Sequence, residues 1–164
     1  MTTASIKSTV RIRPATSSDA AILGHFGALL VALHHEIDPA RFIAASTNTP
    51  QGYAHFLARE SNRPDAIVLV AQDESTILGY AYAALEGADY MSLRGPAGVI
   101  HDLFVDPARR CKGVGRLLLD AVVADMDRRG AERIVLSTAY GNEAAQRLFA
   151  SMGFRPTMVE MTRG

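Results

Sequence analysis

The sequence predicts an α+β fold built around one mixed β-sheet, and three observations predict it. Apolar residues recur in some segments with the two-residue period of a strand and in others with the 3.6-residue period of a helix. Two strand-like segments, residues 66–72 and 77–85, are joined by a hairpin-length connection, which makes them antiparallel. A third strand, residues 98–105, is followed by a helix and another strand. This crossover makes its two strands parallel.

The first third of the chain predicts one strand and two helices. Residues 9–13 alternate between apolar and polar side chains, and Pro14 ends them. A helical apolar stripe follows, and we expect this helix to end near Glu36. Thr49-Pro50 is a typical start for the second helix, because proline is well tolerated in a first helical turn.

The part of the chain after the hairpin predicts alternating strands and helices. Gly153 is placed to end the last helix in the left-handed conformation that glycine favours. We expect one domain over residues 1–164, with a core from about 9 to 162. The remaining elements are a polar loop at 86–96, the strand at 98–105, a helix from 114 to about 129, a strand at 133–138, a helix from 142 to 152 and a last strand at 156–162.

The turn between the strand at 98–105 and the next helix predicts a phosphate site. It carries Arg110 and Lys112, followed by Gly113 and Gly115. A glycine-rich turn that enters a helix presents unpaired N–H groups beside the positive end of the helix dipole. The nucleoside-triphosphate pattern GxxxxGK[ST] is absent, and no third glycine completes the dinucleotide pattern GxGxxG. A different phosphate-bearing ligand is therefore indicated.

Composition excludes several other classes of function. The 164 residues carry 17 basic and 17 acidic side chains, which argues against nucleic acid as the main partner. Cys111 is the single cysteine, so no intrachain disulfide can form, and no cluster has metal-ligand spacing. The N-terminal residues lack the apolar segment of a secretory signal, and the most apolar runs are shorter than the ~20 residues of a membrane span. We expect a cytoplasmic protein that binds no metal and no membrane.

Two motifs resemble those of the GCN5-related N-acetyltransferase (GNAT) family. Arg110-x-x-Gly113-x-Gly115 is similar to the family's acetyl-CoA loop, [Q/R]xxGx[G/A]. Residues 142–154, which include Asn142, Ala145 and Phe149, resemble its N-x-x-A-x-x-[L/F]-Y-x-x-x-G-F helix. The resemblance covers about residues 9–162. It implies the three-layer acyl-CoA N-acyltransferase fold, with a mostly antiparallel sheet and helices on both faces.

The resemblance also implies a function and a set of binding residues. The function is transfer of an acetyl group from acetyl-CoA to a primary amine of a small molecule or protein, directly in a ternary complex. A catalytically quiet module that binds acyl-CoA is the alternative. Backbone groups of the strand and of the loop, with Arg116, would hold the cofactor; Asn142 would hydrogen-bond its pantetheine region, and Ala145 and Phe149 would line its path. These residues are Leu103, Phe104, Val105, Arg110, Cys111, Lys112, Gly113, Val114, Gly115, Arg116, Asn142, Ala145 and Phe149.

The catalytic candidates are His101 and Asp102. His101 stands where family members often have a catalytic glutamate, and an imidazole accepts protons near neutral pH. Strict strand alternation would place the two side chains on opposite faces of the sheet. Phe149 occupies the position of the family's usual tyrosine acid, so Tyr140, water or no acid at all remain open. Soluble members are often dimers, and the strand at 156–162 offers an edge for a homodimer.

Overall fold

The computed structural model describes residues 9–110 and 112–164, and a five-stranded sheet forms its centre. The first four strands pair antiparallel in chain order, and the fourth and fifth pair parallel. The mixed, mostly antiparallel sheet expected from the sequence is therefore confirmed. In spatial order the strands are β1 (Arg11–Pro14), β2 (Ala66–Asp73), β3 (Thr76–Glu86), β4 (Ala97–Val105) and β5 (Ile134–Leu136).

Helices cover both faces of this sheet and create two separate cores. Helices α1 (Ala20–Ile37) and α2 (Thr49–Glu60) lie on one face, where Leu23, Phe26 and Leu57 pack against Val68, Val70 and Tyr80. Helix α3 (Val114–Arg128) lies on the other, where Leu118, Val122 and Met126 pack against Ile67 and Ala81. Helix α4 (Glu143–Ser151) adds partly buried apolar side chains beside α3. These layers confirm the predicted three-layer architecture.

Two glycines allow α2 to lie very close to α1. A Cβ atom added at Gly24 would lie 2.2 Å from the carbonyl oxygen of Pro50, and one added at Gly27 would lie 2.1 Å from Cδ1 of Tyr53. Neither separation is sterically possible, so both positions require glycine at this helix spacing. The close approach carries the Tyr53 ring down toward the sheet, where it enters the site described below.

Helix α1 bears on the expectation that no apolar run is as long as a membrane span. With the turn before it, it forms a continuous stretch, Ser17–Ile37, that is long and apolar enough to cross a membrane by length and composition alone. In the fold, Leu23 and Phe26 of this stretch are buried against the sheet and α2. Packing in a core requires the same apolar composition, which accounts for the character of α1.

The prediction of a last strand at residues 156–162 is wrong. The chain after α4 has neither helix nor strand, and Met158, Val159 and Met161 are 73%, 77% and 90% exposed. Two of these apolar residues are adjacent, so the segment cannot direct one apolar face to a core, and Pro156 has no N–H to donate to a strand. This segment therefore does not form the sheet edge that we expected a dimer partner to cover.

Candidate active site

The sheet opens between β4 and β5, and a cleft of about 710 Å³ occupies the gap. The two strands pair only where residues 98–100 face residues 134–136, after which β4 continues to Val105 without its neighbour. The strand predicted at 133–138 is shorter than expected because of this divergence. From the helices and segments around the gap, the cleft is lined by Leu30, Val31, Leu33, His34, Phe42, Ile43, Tyr53, residues 100–105, Arg110, residues 113–116, residues 136–138, Asn142, Ala144, Ala145, Leu148 and Phe149.

The turn between β4 and α3 forms one end of the cleft. The Asp106 carboxylate accepts a hydrogen bond of 3.0 Å from the Ala108 N–H and so fixes the start of the turn. Gly113 has φ of +81°, a left-handed conformation that favours glycine, and α3 begins at the next residue. The first-turn N–H groups of a helix have no partner within the helix. They lie at Val114, Gly115 and Arg116, which all line the cleft, so this end can bind an anion.

Two arginines add positive charge to this end of the cleft. Arg110 donates from Nε to the Val105 carbonyl oxygen at 3.0 Å, and its guanidinium carbon lies 5.3 Å from the centre of the Phe104 ring. Arg116 donates from Nη2 to Oγ of Ser151 at 2.8 Å. Lys112, also predicted to bind the cofactor, is exposed and does not line the cleft. Cys111 lies outside the described residues.

The two long sides of the cleft come from β4 and α4. Leu103, Phe104 and Val105 line it from the strand, beyond the point where β5 stops pairing. Across from them, Asn142 accepts a hydrogen bond of 3.2 Å from the Ala145 N–H and so caps α4. That bond uses Oδ1 and leaves the amide nitrogen of Asn142 as a donor. The structure thus brings these predicted residues, with Ala145, to one cleft.

Phe149 also lines the cleft, and its ring lies 6.1 Å from the ring of Phe154. A phenyl ring has no proton to donate, so this position offers apolar contact only. Tyr140, considered as a replacement acid, is 95% exposed and is not among the described residues that line the cleft. Of the alternatives left open by the sequence, water or no acid fits this geometry best.

A β-bulge places His101 and Asp102 on the same face of the sheet, contrary to strict alternation. Opposite β4, Tyr82 pairs with Asp102 and Ala83 with Ile100, so His101 is the extra residue of the bulge. A bulge interrupts the two-residue period of a strand. His101 consequently stacks on Tyr82, while Asp102 contacts Tyr80, and both tyrosines belong to the core on the α1–α2 face. The expectation of opposite faces was therefore wrong.

Asp102 lines the cleft and is held by two tyrosines. Tyr53 donates to its Oδ2 at 3.0 Å, and Tyr80 donates to the same oxygen at 2.8 Å. Among the described residues, no hydrogen bond reaches Oδ1. Burial raises the pKa of Asp102 above its ordinary value, although both tyrosine hydroxyls and the charge of nearby histidines oppose this effect. Asp102 is thus a carboxylate with a proton affinity above normal and one free oxygen.

His101 lies at the rim of the same site. Its Nε2 is 2.6 Å from Oε1 of Glu86, and its ring stacks on Tyr82 with centroids 5.1 Å apart. Because a carboxylate accepts the hydrogen bond, Nε2 carries the proton, and in the neutral ring Nδ1 keeps the lone pair. The side chain is 37% exposed, so His101 can exchange protons with solvent.

Sequence reasoning missed three residues of this site. Tyr53 and Tyr80 were not among the predicted site residues, although both donate to Asp102. Nor was His34, although it lines the cleft with its ring 5.0 Å from that of Phe42. No local motif could have indicated the two tyrosines, because they reach Asp102 from 49 and 22 residues away in the chain.

Comparisons with known proteins agree with this geometry. A model of the Acetyltransferase (GNAT) family matches residues 30–154. A mycothiol acetyltransferase of Thermobispora bispora is 34% identical over 96 residues, which are 56% of this chain and 31% of that protein. An L-methionine sulfoximine/L-methionine sulfone acetyltransferase of Salmonella typhimurium is 33% identical over 91 residues, 55% of this chain and 51% of that protein. The chain thus spans about a third and about half of these two relatives.

A solved structure shows the same fold over nearly the whole chain. It is a predicted acetyltransferase of Clostridium acetobutylicum, solved with acetyl-CoA. It superposes with a TM-score of 0.72 at 17% identity and covers 94% of this chain and 96% of its own. The matched family model extends across most of the chain and includes both the acetyl-CoA-type loop and the α4 motif. The chain belongs to the Acetyltransferase (GNAT) family.

Proposed function

We propose that this chain is an N-acetyltransferase that moves the acetyl group of acetyl-CoA to a primary amine of a small molecule or protein, directly in a ternary complex. One observation carries the proposal. A single cleft joins an anion-binding turn at one end to a partly buried carboxylate at the other, one oxygen of which has no hydrogen bond among the described residues. The first end suits a pyrophosphate and the second suits an ammonium group. The family and the names of the relatives support this reaction.

The residues around the gap fit acetyl-CoA. The pyrophosphate would bind the N–H groups of 113–116, with charge from Arg110 and Arg116. The pantetheine arm would lie along β4 at 103–105, where β5 leaves backbone groups without a strand partner, and the Asn142 amide would donate to it. When bound, the thioester supplies an activated acetyl carbon. The chain itself has to orient the amine and accept its proton.

Proton removal requires a base in this site. An alkylammonium with pKa ~10.4 must lose a proton at pH 7, which costs about 4.6 kcal/mol. We assign the first acceptance to Asp102, because burial raises its pKa, it lines the cleft, and both tyrosine hydrogen bonds go to Oδ2 and leave Oδ1 without one. In a site of low polarity, transferring the proton from the ammonium to this carboxylate neutralises two buried charges. His101, at the rim, is the second acceptor and returns the proton to solvent.

The alternative function is a catalytically quiet module that binds acyl-CoA, and Phe149 favours it. The ring stands in the cleft at the position of the family's usual tyrosine and cannot protonate a departing thiolate. A thiol with pKa ~8.5 is, however, a tolerable leaving group without an acid. An assay of free CoA release with acetyl-CoA and a mixed amine panel separates the two functions. Release that depends on an amine supports the enzyme, whereas acetyl-CoA binding with no release for any amine supports the module.

A homodimer remains a proposal, with the outer edge of β5 as the pairing strand in place of the strand expected at 156–162. Among the described strands, β5 pairs only with β4, so its other edge is open for pairing. Near the chain end, Met158, Val159 and Met161 expose apolar side chains that a second copy could cover. Light scattering at micromolar concentration tests the proposal, since a mass near 17.6 kDa would contradict it.

A further inference from the structure

We propose that the acceptor subsite selects a primary amine with a single positive charge on an uncharged, apolar carrier, such as an alkylamine or aralkylamine, over polyamines and free amino acids. The proposal rests on the N-acetyltransferase function above and adds the class of acceptor. The subsite is the part of the cleft formed by Leu30, Val31, Leu33, His34, Phe42, Ile43, Tyr53 and Asp102.

The walls of the acceptor subsite are mainly apolar. Helix α1 contributes Leu30, Val31 and Leu33, and the segment after it contributes Phe42 and Ile43. This segment is held in place, because the His35 ring donates from Nδ1 to the Phe42 carbonyl oxygen at 2.7 Å. Such walls favour an apolar carrier, because binding removes its CH₂ groups from water.

The subsite contains one carboxylate, and no lysine or arginine among the described residues pairs with it. The partners of Asp102 are two neutral hydroxyl groups, and its Oδ1 has no hydrogen bond among the described residues. The other fully charged residues lining the cleft, Arg110 and Arg116, lie at the phosphate end and are positive. An unpaired charge in a buried site is unfavourable. One ammonium group would neutralise it, and the described residues that line the cleft include no second carboxylate.

In its neutral form, His34 adds a hydrogen-bond acceptor to the subsite. Its Nδ1 lies 2.8 Å from the Leu30 carbonyl oxygen and must donate to it, so the neutral ring keeps its lone pair on Nε2. His34 lines the cleft with Asp102, and its charge, when present, lowers the pKa of that carboxylate. The two side chains together supply one anionic and one neutral acceptor, which suits the several N–H donors of one ammonium group.

A free amino acid would also need a cation for its carboxylate. The arginine that directly precedes Phe42 in the sequence already pairs with a carboxylate of the chain. Arg41 precedes the apolar wall residues, and its guanidinium pairs with the Glu160 carboxylate, through Nε to Oε1 and through Nη2 to Oε2 at 3.0 Å. Its guanidinium carbon also lies 4.8 Å from the centre of the Phe42 ring. A substrate carboxylate would have to break this pair, so the subsite disfavours zwitterions.

Matched amines test the proposal in the acetyl-CoA assay with the full chain. Phenethylamine is compared with L-phenylalanine, which adds a carboxylate, and n-hexylamine with 1,6-diaminohexane, which adds a charge; spermidine completes the panel. We expect kcat/KM to be at least about tenfold higher for each monocation than for the matched compound with the added charge. The added charge would have to enter a buried site without a partner, which is unfavourable. A preference for phenylalanine, the diamine or spermidine would overturn the inference and leave the N-acetyltransferase function intact.

A variant of Ile43 provides a second, independent measurement. Its side chain is 79% exposed, so a substitution there should not disturb the fold. Ile43→Asp places a second carboxylate at the wall and should raise the ratio of kcat/KM for 1,6-diaminohexane to that for n-hexylamine by about two- to fivefold, which corresponds to the ~0.5–1 kcal/mol of an exposed charge pair. Ile43→Asn is the matched uncharged control. Equal ratios in the two variants would overturn the subsite assignment. If acetyl-CoA binds but none of the amines causes release of CoA, the proposed function would instead be overturned.

Discussion

The two tyrosines that hold Asp102 allow a direct test of its role as proton acceptor. Tyr53→Phe removes one hydroxyl that donates to Oδ2 at 3.0 Å and keeps the ring that packs against α1. Burial and the nearby carboxylate raise the pKa of Tyr53, so the hydroxyl remains a donor throughout the useful pH range. Its loss destabilises the carboxylate form of Asp102 relative to the acid form. The pKa of Asp102 should therefore rise further.

The size of this effect follows from the strength of the hydrogen bond. A hydrogen bond to a charged group contributes about 1.5–3 kcal/mol. At 1.4 kcal/mol for each factor of ten, its loss should tighten proton binding to Asp102 by roughly 10- to 100-fold. If Asp102 must be ionised to accept the amine proton, the acid limb of the pH profile of kcat/KM should move to higher pH by about 1 to 2 units. The plateau at higher pH should change much less.

The assay is the pH dependence of kcat/KM for n-hexylamine, followed by CoA release. Tyr82→Phe is the matched control, because it deletes another buried tyrosine hydroxyl on the same face of the sheet. That hydroxyl donates to Glu60 at 2.7 Å and does not touch Asp102. We expect the control to keep the wild-type acid limb. Superimposable acid limbs for the two variants would refute the assignment of Asp102 as proton acceptor.

Three further predictions concern the cofactor turn and the two catalytic candidates. Gly113→Asp should abolish acetyl-CoA binding in calorimetry, because φ of +81° strains any side chain and the carboxylate repels phosphate; wild-type affinity in a folded variant would remove the phosphate assignment. Asp102→Asn should lower kcat/KM for an alkylamine at pH 7 by about 10²-fold or more, whereas His101→Ala should lower it by only about tenfold. A larger loss for His101→Ala would make His101 the principal acceptor. Because the pKa of Asp102 is raised, the folded state binds this proton more tightly than the unfolded chain does. The free energy of unfolding of the wild type therefore falls as pH rises from about 4 through the folded-state pKa. In urea unfolding, Asp102→Asn should therefore gain stability relative to wild type between pH 4 and pH 7, and an unchanged difference would contradict the effect of burial.

The features that the sequence predicted correctly are those in which neighbours in the chain determine the structure. The end of β4, a glycine with positive φ and the start of α3 lie within a few residues, so the anion-binding turn could be recognised from its local pattern. The same holds for Gly153, whose φ of +90° ends α4 as expected. The local patterns likewise predicted the helices and the five strands of the sheet, because burial of one face imposes a period on each element.

The chemistry at the other end of the cleft was decided by the tertiary structure. Pairing of β4 with β3 creates the bulge that turns His101 to the face of Asp102, and nothing within β4 itself marks that register. Tyr53 reaches Asp102 because Gly24 and Gly27 let α2 pack closely on α1, and this contact joins residues 49 positions apart. The terminal segment alternates weakly, yet it has no strand partner and stays outside the sheet. Local patterns specify turns and periods, whereas partners distant in the chain determine which side chains meet and how their pKa values change.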